Sequence, residues 1–285
     1  MVNRIARVFP RRTKATPDDQ LAFVGEPDRL YLDDLDIDEV HISVAFSYDM
    51  QYAEWLALQW EAAGVPVKMG GPAFKQPGGE FTPGMYIKHG YTITSRGCPN
   101  KCWFCGVPER EGGKLTELPI KDGWDILDDN LLACSDQHIR EVFAMLERQP
   151  NKPKFTGGLE AKLLKPWHAE LIRNVKTERL YCAYDTPDDY EPLVAAGRIL
   201  RDAGITTASH VAGCYVLIGY WEDTFDKAEE RLIKTIQAGF MPFAMLWQPD
   251  DHENDDRTWN RFQREWCNER IVGVKMKEYG SWELL

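Results

Sequence analysis

Three of the seven cysteines in this 285-residue chain fall within eight residues, as Cys98-Pro-Asn-Lys-Cys102-Trp-Phe-Cys105. The thiolate is the metal-binding form of cysteine, and it favours soft partners: zinc, copper(I), or the iron of iron–sulfur clusters. A closed structural zinc site takes four ligands. Here no His or Cys follows Cys105 within ten residues, and His89 lies nine residues before Cys98, across an expected strand. Three thiolates on one loop suit a four-iron cluster with one iron left open to a substrate or cofactor, a variation on the four-cysteine sites. The other four cysteines (Cys134, Cys182, Cys214 and Cys267) are isolated and read as small buried hydrophobes. An odd cysteine count argues against a disulfide framework.

The elements that must position these thiols are legible as a repeat. Apolar, strand-like runs begin at Tyr91, Trp124, Pro153, Arg179, Gly213 and Met241, at intervals of 26 to 34 residues, the length of a strand–helix unit. Amphipathic helical patterns lie between them over 136–147, 192–203 and 225–238, two of them stopped by Gly204 and Gly239. Strands alternating with helices predict a parallel α/β sheet. The stretch from 86 to 250 is too short for a full barrel, whose eight units need ~250 residues, so six strands of an incomplete barrel are expected. Polar groups collect at the strand ends, where such folds do chemistry: Asp128-Asp129-Asn130, Gly157-Gly158-Leu159-Glu160, Asp185-Thr186 and Gly219-Tyr220-Trp221-Glu222.

Ahead of this lies a smaller α/β unit. Strands are expected over 5–9, 39–46 and 65–69, with a helix from Tyr52 to Gly64 that Asp49 is placed to cap. A Gly- and Pro-rich stretch over 75–84 reads as the linker. The expected division is 1–85 for the small unit and linker, 86–250 for the barrel, and 251–285 for a tail packing on it. That tail is rich in aromatics, among them Trp259, Phe262, Trp266 and Trp282.

The net charge of −11 disfavours broad binding to nucleic acid, which rests on neutralising phosphates. Residues 1–14 nevertheless carry five basic groups and no acid, while 18–39 carry nine acids and one Arg. The expectation is a solvated arm beside its counter-charge. No run approaches the ~20 apolar residues of a membrane helix, and residues 1–10 lack the apolar core of a secretory signal, so a cytoplasmic protein is expected.

The Cys-x3-Cys-x2-Cys loop after the first strand of a (β/α)6 pattern resembles the radical S-adenosylmethionine (radical SAM) superfamily, over roughly residues 86–250. Phe104, just before the third cysteine, is similar to the aromatic residue usual there. Tyr215-Val-Leu217-Ile-Gly219-Tyr-Trp-Glu222 resembles the fifth-strand motif Gly-x-Ile-x-Gly-x-x-Glu, departing at its first and third positions. Ile126-Leu-Asp128-Asp129-Asn130 stands where a Gly-Gly-Glu motif is common. The chain looks like a short, phage- or prophage-type branch. Its first unit resembles a cut-down version of the domain before the barrel in cobalamin-dependent members. The cobalamin-ligating Asp-x-His-x-x-Gly is absent, and His41 reads as an ordinary strand residue.

The resemblance implies that Cys98, Cys102 and Cys105 hold three irons of a 4Fe-4S cluster. The fourth iron then binds S-adenosylmethionine, which is cleaved reductively to a 5′-deoxyadenosyl radical that takes hydrogen from a substrate. It places Phe104 and Gly219 at the adenine, Asp128 or Asp129 at the amino group, Asp185 at the ribose, and Gly157 and Gly158 beside the cofactor. It implies an electron donor such as flavodoxin or ferredoxin, a substrate that includes nucleobases and peptides among its candidates, and neither cobalamin nor a second cluster. Two other readings stay open: a methylthio-transferring or base-modifying radical enzyme, and a noncatalytic iron–sulfur or zinc regulator.

Overall fold

The computed structural model describes residues 4–26, 37–205, 210–249 and 253–280. The acidic stretch over 27–36 and Trp282 of the tail lie outside the described residues. Two parallel sheets organise the chain. The first has the order β2-β1-β3-β4, from Ile5–Phe9 (β1), Ala22–Val24 (β2), Glu39–Ser43 (β3) and Val67–Gly70 (β4). Alternation fixes its register, with Val40 and Ile42 buried on one face, and the crossover from β3 to β4 contains the helix Met50–Glu61 (α1). That helix buries Ala53, Leu56, Ala57 and Trp60 against Ala6, Val8, Val40, Ile42 and Val44. Asp49 occupies the N-cap position but makes no side-chain cap. Its carboxylate is taken by Arg11, at 2.6 and 2.7 Å. The basic arm is paired in the same manner elsewhere, with Arg7 on Asp19 and Arg11 also on Glu253.

Residues 75–90 form no regular element. The second sheet then runs in sequential order: Tyr91–Thr92 (β5), Asp125–Ile126 (β8), Lys154–Phe155 (β9), Arg179–Ala183 (β10), Ala212–Ile218 (β11) and Met241–Leu246 (β12), every pair parallel. Ser95–Arg96 (β6) and Thr116–Glu117 (β7) form a separate antiparallel pair. The crossovers contain Val107–Glu111 (α2), Asp136–Leu146 (α3), Pro166–Asn174 (α4), Tyr190–Asp202 (α5) and Phe225–Gln237 (α6). Sequential order with crossovers of one hand puts the helices on one face of the sheet.

Burial follows that arrangement. Leu180, Cys182, Cys214, Val216, Ile218 and Ala244 point into one core with the helices. The opposite face carries Tyr181 stacked on Tyr215, ring centroids 4.3 Å apart, with Phe243 edge-on to both. The tail folds into Arg257–Cys267 (α7) and Glu269–Tyr279 (α8), and Trp266 of α7 is fully buried in that core. No described helix is long and apolar enough to cross a membrane.

Candidate functional site

The cysteine loop is a closed excursion. The chain leaves at Arg96 and returns at Thr116, and these two residues pair across the short antiparallel ladder of β6 and β7. Gly97 turns it outward with φ +86°. A Cβ there would lie 1.8 Å from the Lys114 carbonyl oxygen, so only glycine fits. Within the loop the Cys105 N–H donates to the Cys102 carbonyl at 3.1 Å, which curls the three cysteines around one turn. Asp129 locks both ends: it accepts from the Gly97 N–H at 2.7 Å and from Arg110 of α2 at 2.7 and 2.9 Å. The linker is bound against the same loop. Gly78 N–H donates to Glu111, Arg96 donates to the Gly79 carbonyl, and Lys75 pairs with Glu109.

Cys98, Cys102 and Cys105 line one cavity of about 560 Å³ with the segments that follow β8, β9 and β10. Burial and then the neighbouring thiols push Cys102 up; burial is the main cause for Cys105 as well, with Cys98 adding to it. Both groups are therefore held as thiols unless a positive partner offsets the cost of ionising them. Among the described residues no three His, Cys, Asp or Glu side chains converge closely enough to share a single metal ion. The remaining wall is acidic: Asp129, Glu160, Asp185, Asp188 and Asp189 face two lysines, Lys101 and Lys162.

Several expected site residues meet there. Phe104, Asp129, Gly157, Gly158 and Asp185 all line the cavity. Gly158 has φ +95°, which L side chains rarely adopt, and a Cβ on it would meet nothing closer than the Tyr181 carbonyl oxygen at 3.9 Å. Gly157 is small for another reason, since its Cβ would lie 2.4 Å from the Asp128 carbonyl oxygen on the neighbouring strand end. Asp185 accepts from the Leu217 N–H of β11 through Oδ1, at 2.9 Å. Its Oδ2 has no hydrogen bond among the described residues. Burial pushes its carboxyl from 3.8 up to about 7, against the opposing Leu217 bond. The capping role in this turn belongs to Asp189, whose Oδ2 accepts from Asp185 N–H, Thr186 N–H and the Thr186 hydroxyl.

Two expectations are corrected. Asp128 does not reach the cavity. It is 1% exposed beneath the loop, where it accepts from Thr94 N–H and Thr94 Oγ1, both at 2.6 Å, and from Ser95 Oγ at 2.8 Å. β8 ends at Ile126, so strand alternation no longer sets where the following side chains point, and Asp128 ties the end of β8 to the segment that follows β5. Gly219 also lies outside the cavity wall. A Cβ on it would strike Leu246 and Trp259, and its N–H donates to Asp223 at 2.9 Å. That turn is held by the buried Asp223–Arg231 pair rather than by Glu222.

The structure gives contacts to strand-end residues that the sequence named without a role, and adds Trp103. Asn130, 4% exposed, donates through Nδ2 to Cys98 Sγ at 3.3 Å and to Glu160 Oε2 at 2.6 Å. Its Oδ1 is buried without a partner. At the rim, Trp103 of the cysteine loop packs on Trp221 at 4.4 Å and on Tyr220 at 5.5 Å, and Trp221 meets Trp247 at 5.8 Å. No family model matches the chain, and no curated protein matches it.

Proposed function

We propose that the chain is a radical SAM enzyme, with its six-stranded sheet forming the incomplete (β/α)6 barrel of that superfamily. The observation that carries the reading is the meeting of three loop cysteines and an acid-rich wall in one cavity, at the C-terminal edge of a sequentially ordered parallel sheet. In this reading Cys98, Cys102 and Cys105 hold three irons of a 4Fe-4S cluster. A cluster places each thiolate on a different iron, and three cysteines of one loop lining one cavity supply that set.

The wall fits the second group equally. S-adenosylmethionine carries a sulfonium and an ammonium, and with Asp129 paired to Arg110 the wall still sets Glu160, Asp185, Asp188 and Asp189 against Lys101 and Lys162, which suits a cation. When bound, the cluster and S-adenosylmethionine supply the one-electron cleavage that gives a hydrogen-abstracting 5′-deoxyadenosyl radical.

The chain's own residues then bind, orient and shield. Asp185 offers Oδ2 to a ribose hydroxyl while Leu217 N–H fixes its other oxygen. Phe104 offers its ring to adenine. Gly158 presents bare backbone to the cavity, in a φ of +95° that a side chain would strain. Asp129, engaged by Arg110 and Gly97, shapes the cysteine loop. Trp103 brings the aromatic set of Tyr220, Trp221 and Trp247 up to the cavity wall, where it offers surface to a substrate. The reading includes a flavodoxin- or ferredoxin-type electron donor, a reducing cytoplasmic setting, and a substrate such as a nucleobase or peptide. It includes neither cobalamin nor a second cluster.

Anaerobic reconstitution tests the reading. The protein should take up about four irons and four sulfides per chain, and Cys102→Ala should lose them. Purification with one zinc and no iron overturns the proposal.

A further inference from the structure

We infer that Asn130 sets the reduction potential of the centre held by Cys98, giving one amide hydrogen to Cys98 Sγ and the other to Glu160. This rests on the cluster reading above. An amide NH2 has two hydrogens, and both are spent here, at 3.3 Å on sulfur and 2.6 Å on the carboxylate. Two acceptors on one side fix which end of the amide is nitrogen, and leave Oδ1 as the buried, unpartnered end.

The placement has an electrostatic consequence. Glu160 and a ligating Cys98 are both anionic, and both line the same cavity. Asn130 stands between them as a neutral donor to each. A hydrogen bond to a thiolate strengthens as negative charge on it grows. Reduction adds an electron to the cluster, so the Asn130 N–H favours the reduced state and raises the potential. Glu160 opposes it through its charge. Hydrogen bonds to sulfur and net local charge are among the main determinants of cluster potential. Burial of the amide keeps water from substituting for it.

Asn130 is thus a positioning residue that acts through Cys98, and the readout is a potential. The full-length protein is reconstituted anaerobically, and the midpoint is taken by redox titration of the reduced cluster's paramagnetic signal. Asn130→Ala should shift the midpoint to more negative values at unchanged iron content. Glu160→Gln, which keeps an acceptor and removes the charge, should shift it to more positive values. Asn130→Leu keeps the volume, and serves if the alanine variant does not load. If neither position-130 variant loads while wild type does, Asn130 is needed to assemble the site rather than to tune it, and the inference is overturned. Loaded variants with the wild-type midpoint overturn the inference and leave the cluster reading intact. Wild-type protein that takes up no cluster overturns both.

Discussion

Replacing Asp185 with Asn separates a binding carboxylate from a capping one. In the folded chain its carboxyl is raised from 3.8 to about 7, chiefly by burial. A raised carboxyl binds its proton more tightly in the native state, so native stability is fully present below pH ~4 and falls as pH rises toward 7. The full difference amounts to on the order of 4 kcal/mol above pH 7, which exposure at the cavity wall trims to roughly 2–4 kcal/mol. Asn keeps a carbonyl oxygen to accept from Leu217 N–H and never ionises. Asp185→Asn should therefore stabilise the ligand-free protein by roughly 2–4 kcal/mol at pH 8, a rise in Tm on the order of 10 °C, with almost no gain at pH 4. The same variant should bind S-adenosylmethionine ~10–100-fold more weakly, the loss expected for a hydrogen bond to a charged group. Denaturant melts at both pH values, beside a binding titration, check this. A loss of about 1 kcal/mol at every pH, as for a missing helix cap, would refute the reasoning.

Asp128→Ala should cost at least ~2 kcal/mol and lower the denaturation midpoint, because it leaves the Thr94 N–H, Thr94 hydroxyl and Ser95 hydroxyl without their buried acceptor. S-adenosylmethionine affinity per folded molecule should be unchanged, and a selective loss of affinity contradicts the buried role. Gly157→Ala should destabilise by roughly 1–3 kcal/mol, since its Cβ meets backbone at 2.4 Å that cannot swing aside. A melt within ~0.5 kcal/mol of wild type would show that the strand ends are less tightly apposed.

The parallel architecture is readable because the longer strands are apolar runs and two helices end at glycine. The runs at Arg179, Gly213 and Met241 became β10, β11 and β12, and the apolar faces over 136–147 and 225–238 became α3 and α6. Short elements were less legible. Ala22–Val24, Thr116–Glu117 and Pro166–Asn174 carry too few residues, or too mixed a pattern, to show a period. The site divides in the same way. Cysteine spacing is a covalent fact, and it survives folding as one loop lining one cavity. The carboxylates after β8 are different. Once the chain leaves a strand no periodicity dictates direction, so Asp128, Asp129 and Asn130 diverge to a buried clasp, a loop lock and a cysteine contact. Asp49 and Gly219 were assigned from local sequence alone. Arg11 and Asp223, both outside the motifs in question, decide what those residues do.

The most direct test of the central claim is product analysis of the reduced, fully loaded protein incubated anaerobically with S-adenosylmethionine. The account predicts 5′-deoxyadenosine and methionine in equal amounts, formed slowly without substrate and not at all by Cys102→Ala. Fully loaded, reduced protein that yields no 5′-deoxyadenosine would contradict it.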